Sequence, residues 1–114
     1  MFTTQDFARA HPDVVAKFVR ASIRGWREYL NAPKAADDAV AKLNPALTPE
    51  WMEFSWKALR DGKFVAGDDA SGAKIGQMEA ERWNAIYQQL LELKVIDKEI
   101  DPATAYTLEF IPKN

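Results

Sequence analysis

The 114-residue chain contains no cysteine and a single histidine, His11. Disulfides, thiol nucleophiles and cysteine-bound zinc are therefore excluded, and a lone imidazole leaves any triad or histidine-based metal site without its partners. The five glycines (Gly25, Gly62, Gly67, Gly72 and Gly76) never fall into a GxGxxG or GKS/T spacing, so no phosphate-cradling loop is encoded. No run of about 18 apolar residues exists, and hence no membrane span is expected. The N-terminal MFTTQDFARA has no cationic segment followed by an apolar stretch, so no secretory signal is expected there either. Charge of one sign is lacking too: 15 basic residues face 17 acidic ones, for a net charge of −2. Large aliphatics are thin. Val, Ile, Leu and Phe together number 26, about 23% of the chain, only just above the roughly 20% below which chains tend to stay disordered. What is abundant is alanine (18 residues) and aromatics (13, four of them Trp), so a core in this chain must lean on its rings. These absences point away from an enzyme: no catalytic residues, no metal ligands and no cofactor are expected.

Proline punctuates the chain. His11-Pro12-Asp13, Ala32-Pro33, Thr48-Pro49-Glu50 and Asp101-Pro102 read as helix starts, because proline at the first helical position lacks only an N–H that would have no partner there. Thr48 and Asp101 are suited to cap with their side-chain oxygens, and Asp13 and Glu50 to sit at the positive end of a helix dipole. Apolar spacing then predicts four helices. The first runs from Pro12 to Asn31, with Val14, Val15, Phe18, Val19, Ser22, Ile23, Trp26, Tyr29 and Leu30 on one wide face and Gly25 placed for close packing against Trp26 or a neighbouring helix. The second spans Pro33 to Leu43, and the third, Pro49 to Asp61, ends at Gly62 as a left-handed cap. The fourth spans Glu79 to Leu93. A short helix is expected at Asp101-Pro102, followed by an extended stretch from Thr107 to Ile111. The expected fold is thus mainly α, with four to five helices forming a single helical unit over residues 1–114.

Some features resist that tidy reading. Lys63 to Met78 holds three glycines and little periodicity; a loop of this length is uncommon unless it is functional or lies on a neighbour absent from the chain. Phe2-Thr3-Thr4 reads as a strand without a partner. The third helix, with Trp51, Met52, Phe54, Trp56, Ala58 and Leu59, is apolar over too wide an arc for contact on one side only. Trp26 and Trp83 lie in regular apolar stripes and are expected in the core, whereas Trp51 and Trp56 are expected to pack in the core or between domains.

Lys17, Arg20, Arg24 and Arg27 share a face of the first helix, and residues 1–34 carry net +3 against −5 for the remainder. No aromatic interleaves this stripe and the whole chain is acidic, so it reads as a solvated face and no nucleic-acid partner is expected. Asp37-Asp38 diverge by about 100° on a helix and read as surface residues. Asp68-Asp69 lie in the long loop without further acidic residues at calcium-loop spacing. His11 reads as a capping position.

The order of segments then carries a resemblance. HPDVVAKFVRASIRGWREYLNAPKAADDAVAKLNPAL, with its Pro-Asp helix start, R-A-x-x-R-G-W core and alanine-rich helix ending near N-P, resembles a stretch of the periplasmic substrate-binding proteins of ABC importers. The likeness is to the nitrate, sulfonate, taurine and thiamine-pyrimidine-precursor binders. IGQMEAERWNAIYQQLLELKVIDKEIDPATAYTLEF resembles their C-terminal signature, a G-x-M turn, an E-R-W helix and an aromatic-Thr-x-x-Phe ending. His11 stands where the family has an Asn cap, and Lys94 where the helix often ends in glycine.

The resemblance implies a type II periplasmic-binding-protein α/β fold of two lobes with ligand between them, of which this chain matches the C-terminal helical third. It implies a non-catalytic, periplasmic function: capture of a small solute, anionic or heteroaromatic, for an ABC permease. The family's ligand contacts come mainly from the remainder, so no ligand-binding residue is carried onto this chain. On this reading Phe2-Thr3-Thr4 is the tail of a hinge strand, and apolar faces left without neighbours predict self-association of the isolated chain. The alternative is a free-standing helical protein-interaction module.

Overall fold

A computed structural model describes residues 1–68, 71–72 and 74–112, and among them all regular structure is helical. Five α-helices follow in order: α1 (Gln5–Ala10), α2 (Pro12–Asn31), α3 (Lys34–Leu43), α4 (Pro49–Asp61) and α5 (Ala80–Glu92), with a single 3-10 turn at Pro102–Ala105. The mainly helical expectation holds, and the bounds of α2 and α4 fall where the prolines and apolar spacing put them.

The helix starts obey local chemistry. Thr48 Oγ1 accepts from the Trp51 amide at 3.3 Å, and Asp101 Oδ1 accepts from the Ala103 amide at 3.0 Å, each satisfying an amide that lacks a partner in the first turn. Asp13 and Glu50 stand in the first turns of α2 and α4. A hydrogen bond from Lys17 holds the Asp13 carboxyl below its ordinary pKa, and backbone and Thr48 hydrogen bonds do the same for Glu50.

The N-terminus differs from expectation. Phe2-Thr3-Thr4 is no strand; it leads into α1, where Thr4 Oγ1 accepts from the Phe7 amide at 3.2 Å. Six residues are too few to display a helical period, so only the cap and Arg9, near Asp6 and Gln5, mark this helix. His11 occupies the cap position shared by α1 and α2 but makes no side-chain cap bond. Its ring instead lies 4.9 Å from that of Phe7. Pro12 disfavours helical geometry in the residue before it, and His11 at φ −135°, ψ 52° is the break between the two helices.

The helix ends carry a second correction. Gly62 is not left-handed but lies at φ −76°, ψ −5°; the left-handed residue is Lys63, at φ 55°. Its amide bonds to the Arg60 carbonyl, and the Phe64 amide to that of Leu59. This pair of bonds is a Schellman close. α5 ends the same way: Lys94 is at φ 54°, with its amide on Leu91 and that of Val95 on Leu90. Lysine thus fills both positions that favour glycine, and the placement of Lys94 explains the departure seen there in the sequence. At the C-terminus the expected extended stretch is instead a turn, closed by the Ile111 amide on the Leu108 carbonyl.

The chain is open. Its radius of gyration is 17.0 Å, where a compact domain of this length has about 13 Å. Its accessible surface is 9225 Å², where a folded monomer of its mass exposes roughly 6,300 Å². Ile75, 5% exposed, is the sole buried apolar residue among those described. Ile75 lies in the segment between α4 and α5, so that loop does find a neighbour within the chain. The Arg27 guanidinium donates to the Gly72 carbonyl at 3.3 Å. Gly76, at φ +87°, brings its backbone so near α2 that an added Cβ would lie 3.2 Å from Ile111 Cδ1 and 3.5 Å from Ile23 Cδ1.

Candidate functional site

Among the described residues the feature that stands out is an apolar groove of about 670 Å³ between α2, α3 and α4. Small residues make part of its lining: Ser22 and Gly25 from α2, Ala36 from α3, Ser55 from α4. Rings and aliphatics complete it, with Trp26 and Tyr29 on α2, Val40 on α3, and Trp51, Met52 and Leu59 on α4. Leu47, brought in by the turn that Asn44 closes through its carbonyl and side-chain oxygens, lies at one end. Two expectations fall here. Nothing lies within 4 Å of a Cβ built on Gly25, so no helix packs against it. Trp26, expected in the core, is 41% exposed and lines the groove.

The wide apolar arc of α4 is divided between two tasks. Trp56 turns inward, and its Nε1 donates to the Leu30 carbonyl at 3.1 Å, giving a partner to one of the carbonyls left over at the end of α2. The Arg60 guanidinium lies 4.3 Å over the Trp56 ring. Trp51 and Phe54 turn outward and are 56% and 66% exposed, their rings meeting edge-on at 5.9 Å. Trp83 is half-buried and stacks on Tyr106 at 5.2 Å, tying α5 to the 3-10 turn.

Electrostatics around the groove are sparse. Asp37 is the one charged side chain among its lining residues. Burial and the Asp37 carboxylate raise the Tyr29 phenol above its ordinary pKa. Asp37 is therefore half-buried and not simply a surface residue, while Asp38 points to Lys34 at 2.9 Å; the two carboxylates diverge as adjacent helical positions must. The basic stripe of α2 is mostly solvated, with Lys17 paired to Asp13 and Arg24 to Glu28, and Arg27 alone turned onto Gly72. Asp68 pairs with Lys63; their hydrogen bond lowers the pKa of Asp68 and raises that of Lys63. Asp69 lies outside the described residues. Among the described residues no three His, Cys, Asp or Glu side chains are grouped to hold a metal ion, and no helix is long and apolar enough to cross a membrane.

Sequence reasoning missed the groove because no single helix encodes it. Its signal was indirect: a glycine inside α2 without local cause, and an α4 too apolar for one neighbour.

Residues 1–36 match the family described as NMT1/THI5 like. The chain is 24% identical over 103 residues to the riboflavin-binding protein RibY of Chloroflexus aurantiacus, covering 90% of this chain and 29% of that protein. The chain thus spans less than a third of the curated relative it matches. No solved structure matches it. The two matches support a relationship to solute-binding proteins at that level, without selecting the nitrate, sulfonate or taurine type.

Proposed function

We propose that this chain is the C-terminal helical segment of a two-lobed, extracytoplasmic solute-binding protein that captures a small molecule, without catalysis, for an ABC permease. The observation that carries this reading is the asymmetry of the match to RibY: nearly all of this chain, but under a third of the relative. The open shape supports it independently. Roughly 2,900 Å² of surface beyond that of a compact monomer of this mass is what an element of a larger fold exposes when considered alone. Of the two solute classes implied by resemblance, the riboflavin-binding relative favours the heteroaromatic one.

Calorimetry tests the proposal, with riboflavin as probe, on the 114-residue chain and on the longer polypeptide encoded with the sequence upstream of Met1. The chain alone is expected to give no heat, because a cleft needs two walls, and the longer protein to bind one solute per molecule. An upstream sequence that encodes no α/β lobes, or saturable binding of riboflavin by the short chain, overturns it. The groove favours a second reading, a helical protein-interaction module. That reading requires a stable complex between the short chain and another protein in which no solute takes part.

A further inference from the structure

We draw no further inference here: the strongest candidate, the apolar groove between α2, α3 and α4 with Trp26, Tyr29 and Trp51 among its lining, carries nothing, because nothing in the structure shows what covers it.

Discussion

α2 has two sides with opposite fates. On one, the segment between α4 and α5 folds back, Ile75 is buried, Arg27 donates to Gly72, and Gly76 lies against Ile23. On the other, Gly25 faces empty space and Trp26 and Tyr29 line an open groove. Helix propensity does not distinguish these sides, and neither does apolar content. The difference lies in what the rest of the chain supplies. Two left-handed glycines, Gly72 and Gly76, let an irregular segment approach the first side closely, whereas the helices α3 and α4 only border the second. Exposed rings and aliphatics remain elsewhere, Phe2, Phe64 and Leu93 among them, but none of these lines the groove.

The contrast is most strongly broken at Ile75. Ile75→Ala is expected to destabilise the closed side by about 2 kcal/mol, the low end of the usual cost for such truncations because its half-exposed neighbours can relax. Thermal melting and faster amide exchange over residues 74–76 are the measurements. Gly76→Ala comes next. It forces a side chain into φ +87° and against Ile111, a strain of roughly 1–2 kcal/mol, again read by melting.

Lys94→Gly touches neither side. It places glycine at the left-handed close of α5 and is expected to stabilise the chain by about 1 kcal/mol in the same assay. A loss of stability instead would contradict the left-handed close of α5 at Lys94. The smallest effect comes from pH. Asp68, with its pKa lowered by Lys63, contributes above the ordinary carboxylate value and loses that contribution as pH falls through the folded value. Lys63, raised by Asp68, contributes until pH rises through its own folded value. Proteolytic cleavage near Phe64 is therefore expected to be slowest between those limits and to quicken on acidification.

The helices were legible because proline and capping residues are local signals: Thr48 and Asp101 cap as their positions imply, and α2 and α4 have the expected bounds. α1 was not legible, since a six-residue helix shows no period. The left-handed Lys63 was not, because Gly62 stands next to it and is the residue that propensity selects. The groove lay beyond sequence reasoning for a different reason. Trp26 sits in the same stripe as residues that do become buried, and periodicity says which residues share a face but not whether that face is covered. The family resemblance reached the level of solute-binding proteins and no further.

The central claim is that one side of α2 is closed by the chain itself and the other is left open by it. Amide hydrogen exchange of the wild-type chain, measured across a denaturant series, tests it most directly. Protection of the Ile75 amide, which bonds to the Gly72 carbonyl, is expected to fall only with global unfolding, and protection of α3 to fall at lower denaturant through local opening. Loss of protection at Ile75 before that of α3 would contradict the account.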